Sequence, residues 1–230
     1  MIETIIFYGV ILLIIYFVNS NKRREENKKR EEEERKNEKR RNLGINSYKQ
    51  NEKQYPIVLC PYVTKNTSLI LPSQKTYSDV GQGKQGASDI FFANELKKYF
   101  PNVSTNFKLG VFYPDIVIYK EDNFYIDVEI DEVYTMKGKD IIHSIGDDNH
   151  RNRFFQKKGW YVLRFSEEQI RTETKSCCKF AAQIYAYYTF DKDPLNKLIN
   201  IKDLSFTEQW TREMGYQYRQ ENVRNKWLKS

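Results

Sequence analysis

The side chains best suited to chemistry are gathered in one stretch of this 230-residue chain. Asp115 follows Tyr113 and Pro114, and Asp127, Glu129 and Asp131 then recur at every second position of Phe124–Glu132. Alternation with period two is the signature of a β-strand, whose successive side chains point to opposite faces. Three carboxylates therefore share one face, and Phe124, Ile126, Val128 and Ile130 share the other. Like charges so close repel, and a hard divalent cation with oxygen ligands would relieve that repulsion. The plainer reading of the same pattern is an exposed hairpin whose acidic face is solvated. Downstream, His143 supplies an imidazole that titrates near neutrality, with a loop histidine of no role as the alternative. Arg151 and Arg164 supply guanidiniums suited to clamp phosphate, or to pair with a structural Asp.

These groups need a scaffold, and its elements are legible in order. Ser88 is a candidate N-cap with Asp89 favourable in the first turn, and Ile90, Phe91, Ala93, Leu96 and Phe100 keep helical spacing up to Pro101. Val103–Val111 reads as a strand. Ile116–Tyr119 and Phe124–Glu132 read as two more, joined by the polar turn Lys120–Asn123. The long loop Val133–Gly146 carries His143. Asp147–Lys158 reads as a helix stopped by Gly159, and Tyr161–Phe165 as a strand. Ser166 with Gln169 then opens a helix running to Tyr188. The order helix–strand–strand–strand–helix–strand–helix predicts an α/β fold, a mixed four-stranded sheet flanked by helices.

Pro114-Asp115, then Glu129-Ile130-Asp131, then Asp148-x-x-Arg151, Phe155, Gly159 and Arg164-Phe165 together resemble the PD-(D/E)xK nuclease superfamily. The branch is that of uncharacterised-domain endonucleases related to very-short-patch repair endonucleases. The resemblance covers about residues 86–188 and implies a restriction-endonuclease-like core that hydrolyses phosphodiester bonds of nucleic acid, DNA first. It implies a Mg²⁺ (or Mn²⁺) ion held by Asp115, Glu129 and the carbonyl of Ile130. Asp131 stands where the superfamily has a lysine that activates water, and a carboxylate cannot supply that charge. Asp131 is then expected to place a water or a second ion, with His143 the proton-transfer group. Arg151, Arg164 and Lys84 are expected to bind substrate, with Glu95 of the first helix and Asp148 in support. Asp127 shares the acidic face but lies outside the matched motif. The rival reading is a non-catalytic nucleic-acid-binding or scaffold protein on the same fold.

The rest of the chain sets organisation and setting. Residues 1–19 are nearly all apolar, at the short end of what a spanning helix needs, and lack the basic start and small-residue cleavage site of a signal peptide. They read as a single-pass membrane anchor. Lys22, Arg23 and Arg24 directly after it place the C-terminal domain in the cytoplasm. Residues 20–55 form a charged stalk and linker. Its acid-first pairs, Glu25/Lys29, Glu26/Arg30, Glu31/Arg35 and Glu32/Lys36, favour a solvated helix, with a disordered linker as the alternative. Residues 56–190 form the nuclease-like domain, and 191–230 a C-terminal extension with one helix near Phe206–Trp227. The glycines around Lys84 lack the Gly-Lys-Ser/Thr ending of a phosphate loop. The net charge of +7 suits a polyanion or an anionic lipid surface. Three cysteines, two of them adjacent, make no disulfide framework and fit a reducing compartment, and two histidines without a Cys-x-x-Cys pair argue against structural zinc.

Overall fold

The computed structural model describes residues 2–44, 53–62, 86–105, 107–120, 124–135, 138 and 140–229, with side chains from residue 15 onward. The chain divides into two compact units, Met1–Asn46 and Ser47–Ser230.

The first unit is a single helix, α1 (Ile2–Asn42). Of the acid-first pairs expected along it, Glu32–Lys36 closes at 2.7 Å, while Arg30 reaches forward to Glu34 at 3.3 Å rather than back to Glu26. Both pairs are exposed, so helix propensity rather than ion pairing sustains this segment. Among the described residues no helix is long and apolar enough to cross a membrane. The transmembrane helix expected over residues 1–19 therefore finds no support here. The side chains of residues 1–14, most of that apolar run, lie outside the described residues.

The second unit is an α/β fold on a five-stranded mixed sheet. Its elements are β1 (Gln54–Tyr55), β2 (Ile57–Leu59), α2 (Ala87–Leu96), β3 (Val103–Ser104), β4 (Ile116–Lys120), β5 (Phe124–Asp131), α3 (Asn149–Lys157) and β6 (Tyr161–Ser166). Then come α4 (Glu167–Thr172), α5 (Thr174–Thr189), α6 (Asp193–Asn196), β7 (Thr207–Glu208), α7 (Arg212–Gln220) and α8 (Val223–Trp227). The sheet order is β2-β6-β5-β4-β3, with β5 and β6 parallel and the other pairs antiparallel. The fifth strand is β2, an apolar triplet that pairs along β6. The strand expected over Val103–Val111 shrinks to two residues, because the chain turns away into a Leu109–Phe112 bridge.

The alternation in β5 sorts two cores. Phe124, Ile126, Val128 and Ile130 pack with Phe92 and Leu96 of α2 and with Cys177, Ala181, Ile184 and Tyr185 of α5. Tyr125, on the other face, packs with Val117, Val162, Phe155 and Trp160. Every residue of β5 is buried, so the solvated hairpin is excluded and the acidic face lies inside the protein.

Local sequence explains most boundaries. Gly159, at φ +81°, closes α3 through two bonds: its own N–H donates to the Gln156 carbonyl at 3.1 Å, and that of Trp160 to the Phe155 carbonyl at 3.0 Å. Ser166 and Gln169 form the expected capping box on α4. Three expectations fail for local reasons. Gly86, not Ser88, caps α2, leaving the Ser88 hydroxyl free to donate to Glu167 at 2.7 Å. The long helix to Tyr188 breaks at Glu173, which leaves helical geometry. The helix expected over Phe206–Trp227 is β7, α7 and α8, with Asn222 in the left-handed region between the two helices.

The C-terminal segment is woven into this second unit. β7 pairs with β1, the Trp210 ring lies 5.2 Å from that of Tyr55, and buried Arg224 pairs with Glu167 beneath α4.

Candidate active site

Strand register builds the site. In the antiparallel β4–β5 ladder Ile116 faces Val128, so Asp115, one step beyond, comes opposite Glu129. In the parallel β5–β6 ladder Glu129 faces Arg164. Directly opposed residues share a face, so Asp115, Glu129 and Arg164 form one row across three strands. The Asp115 N–H donates to Glu129 Oε1 at 3.3 Å, and the Ile130 N–H donates to Asp115 Oδ2 at 3.0 Å.

Helices close the row from both sides. From α3, Arg151 donates to Glu129 Oε1 and to the Tyr113 carbonyl, the latter at 2.7 Å, with Phe112 and Phe155 rings against its guanidinium. From the first turn of α2 comes Asp89, 5% exposed, whose Oδ2 accepts the Gly86 N–H at 2.6 Å. Burial, and then the charges of Glu129 and Glu167, push the Asp89 carboxyl up to about 6. Burial, Glu129 and Asp89 push Asp115 well above the carboxylate range. Burial acts on Glu129 too, yet Arg151 and Arg164 hold that carboxyl below its ordinary value. Asp127, fully buried, meets no N–H or O–H donor at either oxygen. Burial and then the Glu129 charge raise its carboxyl well above the ordinary value.

A second cluster adjoins the row. Arg164, 1% exposed, grips Asp131 with two bonds, Nε to Oδ2 at 3.0 Å and Nη2 to Oδ1 at 2.5 Å. It also reaches Asp148 at 3.0 Å, Asn152 at 3.1 Å and Glu129 at 3.8 Å. The Tyr55 hydroxyl donates to Asp131 at 2.8 Å. His143, in the left-handed region at φ +53°, sets Nδ1 2.9 Å from Asp148 and 3.6 Å from Asp131. Burial opposes its charge, but Asp131 and Asp148 prevail and lift the imidazole to about 9. At neutral pH it is an imidazolium, able to give a proton but not to take one.

The two clusters differ in how they suit a cation. Asp131, His143 and Asp148 have ligand atoms within 4.8 Å of one another. The Arg164 guanidinium already sits among them, 2.5 Å from Asp131 and 3.0 Å from Asp148, so this set is a closed ion-pair network. In the other cluster three carboxyls, Asp89, Asp115 and Glu129, lie beside the guanidinium of Arg151, and Arg164 reaches Glu129 from the neighbouring cluster at 3.8 Å. Burial first, and then the neighbouring carboxylates, raise Asp89 and Asp115, and these donors suit a hard divalent ion.

The structure brings Asp115, Glu129, Ile130, Asp131, His143, Asp148, Arg151 and Arg164 together. Arg164 is engaged in the Arg–Asp pair and does not face solvent as a phosphate clamp would. Glu95 is elsewhere: it pairs with Lys98 and accepts from the Tyr99 hydroxyl at 3.3 Å. Asp89, two turns earlier on α2, occupies the position expected of Glu95. Lys84 lies outside the described residues. Tyr55 and Asn152 belong to the site and were not anticipated. Neither carries a local signal, since each arrives through long-range pairing.

Comparison of the chain with protein-family models, with curated proteins and with solved structures returned no match.

Proposed function

We propose that the Ser47–Ser230 unit is a metal-dependent nuclease that hydrolyses phosphodiester bonds of nucleic acid, DNA first. The observation that carries this reading is the trio Asp89, Asp115 and Glu129, three carboxyls close enough to act on one another's charge, beside the guanidinium of Arg151. Asp115 and Glu129, with the Ile130 backbone beside them, would hold a magnesium or manganese ion, and Asp89 lies alongside. Such an ion, when bound, supplies charge stabilisation at the phosphoryl oxygens and lowers the pKa of a water. Arg151 fixes the Glu129 carboxylate. Arg164 holds Asp131 and Asp148 in place, and they orient the His143 imidazolium, which can give a proton to a leaving oxygen. The resemblance to PD-(D/E)xK nucleases supports the same roles.

One observation favours the rival, a non-catalytic nucleic-acid-binding protein: Asp131, at the lysine position of that motif, is wholly engaged with Arg164. The discriminating experiment is magnesium-dependent nicking of plasmid DNA by the full chain. Asp115→Asn and Glu129→Gln should each reduce nicking at least a hundredfold while the protein still melts cooperatively. Wild-type protein that binds DNA but never cuts DNA or RNA, with magnesium or manganese, would establish the rival.

Attachment to a membrane through residues 1–19, with the C-terminal unit in the cytoplasm, is a separate proposal that rests on the apolar run and the basic residues after it. Sedimentation with membranes that survives carbonate washing supports it, and an intact full-length chain in the soluble fraction refutes it.

A further inference from the structure

Beside the carboxylate row lies a cavity of about 170 Å³, bounded by Ile57 and Leu59 of β2, Ser144 and Ile145 of the His143 loop, and Asn152 and Arg164. We propose that it receives one unpaired nucleobase of the bound nucleic-acid strand, an inference that rests on the reading that this unit binds nucleic acid.

Size comes first. At about 30 Å³ per water the cavity has room for five or six waters, enough for one flat heterocycle and too little for a base pair. Charge comes second. Asp131 and Asp148 on its wall are matched by Arg164 and His143, so a neutral ligand meets no net field, whereas a phosphate would be set against two carboxylates. Chemistry comes third. The Ser144 hydroxyl, 5% exposed, lines the cavity and has no hydrogen-bond partner. A buried hydroxyl left unpaired is costly, and the edge of a base would satisfy it. Asn152 also lines the cavity, and its carbonyl oxygen is taken by Arg164, so the polar group it can still offer a base is its amide NH₂, a donor. Ile57 and Leu59 add the apolar wall that a ring face needs. Protein sites that read unstacked bases combine such edge contacts with an apolar face.

Position comes last. Arg164 lines this cavity and also stands 3.8 Å from Glu129 in the row. A base seated here belongs to a strand passing directly over the carboxyls. Ile145, 59% exposed, stands at the rim, where a larger side chain can block entry without disturbing the core.

The test uses the full chain and two DNA duplexes of one sequence, one fully paired and one carrying a bulged 2-aminopurine, in calcium-free buffer with EDTA so that binding is read apart from cleavage. Wild type should bind the bulged duplex at least tenfold tighter and change the 2-aminopurine fluorescence at least twofold. Ile145→Trp should erase both the preference and the fluorescence change, and Ser144→Ala should weaken the preference several-fold. Equal affinity for the two duplexes, or a preference that survives Ile145→Trp, overturns the pocket. Nicking assays of the same samples separate the two ideas. Cleavage without any preference removes the pocket and keeps the nuclease, while base capture without cleavage removes the nuclease and keeps the pocket.

Discussion

Replacing Asp89 by Asn should stabilise the metal-free protein at pH 8 and leave it unchanged near pH 4. The Asp89 carboxyl titrates at about 6 in the fold, against an ordinary 3.8, mainly because it is buried and then because Glu129 and Glu167 are near. A folded-state pKa above the unfolded one means that the stabilising contribution is fully present below about pH 4. It is lost as pH rises through 6. At 1.36 kcal/mol per pH unit the ionised carboxyl costs the fold at most about 3 kcal/mol. Asn removes that cost and still accepts from the Gly86 N–H, whose preference for the charged carboxylate is already contained in the shift. The net gain is at most about 3 kcal/mol, or about 6–12 °C in Tm for a unit of this size. The assay is a thermal melt of wild type and Asp89→Asn in EDTA from pH 4 to 8, repeated with millimolar magnesium. Magnesium should raise the wild type more than the variant, because a cation that binds only the folded form relieves the repulsion the variant no longer has. A variant that melts no higher than wild type at pH 8, or that gains as much at pH 4, would refute the electrostatic reading of the cluster.

Other perturbations test other parts. Arg164→Met removes the two-bond partner of buried Asp131, leaving it only the Tyr55 hydroxyl and His143, and should cost about 3–5 kcal/mol, seen as a Tm lower by at least about 6 °C; an unchanged melt would mean that the ion-pair network is not as drawn. His143 titrates at about 9 instead of 6.5, so its contribution is full below pH 6.5 and lost as pH rises through 9. His143→Gln should therefore flatten the alkaline fall in Tm between pH 7 and 10, and a variant with the wild-type slope would place the histidine elsewhere. Val162, fully buried between the two sheet neighbours Asp127 and Leu59, should not accept Asp. The unpaired charge costs several kcal/mol, comparable with the whole stability, and circular dichroism should show an unfolded chain.

Much of this was legible in the sequence because it depends on neighbours along the chain. The period-two alternation of Phe124–Asp131 specified β5 and the face each residue takes, since a strand has no other way to place successive side chains. Gly159 announced the end of α3 because a residue without a Cβ reaches the left-handed geometry that closes a helix at little cost. Ser166 and Gln169 announced the start of α4 through a local exchange of hydrogen bonds. Even the pairing of Asp115 with Glu129 was within reach, because a short turn between two strands leaves few registers open.

What the sequence left open depends on groups far apart in the chain. Alternation could not say whether the acidic face of β5 met water or protein. That was settled when α3, β2 and the C-terminal segment closed over it, and burial then turned spaced carboxylates into a coupled cluster. Asp89 rather than Glu95 enters the site because Gly86 starts α2 two residues before Ser88, which directs the first turn toward the ends of β4 and β5. Arg164 could have met a phosphate or an aspartate. Parallel pairing of β5 with β6 placed it between Glu129 and Asp131, buried where carboxylates are the charges it meets at closest range. Strand alternation and helix caps were therefore determined by the sequence itself, as consequences of covalent geometry over a few residues. Which charges face one another, and which remain uncompensated, was decided only by tertiary structure, because Coulomb interactions act through space and grow as water is excluded.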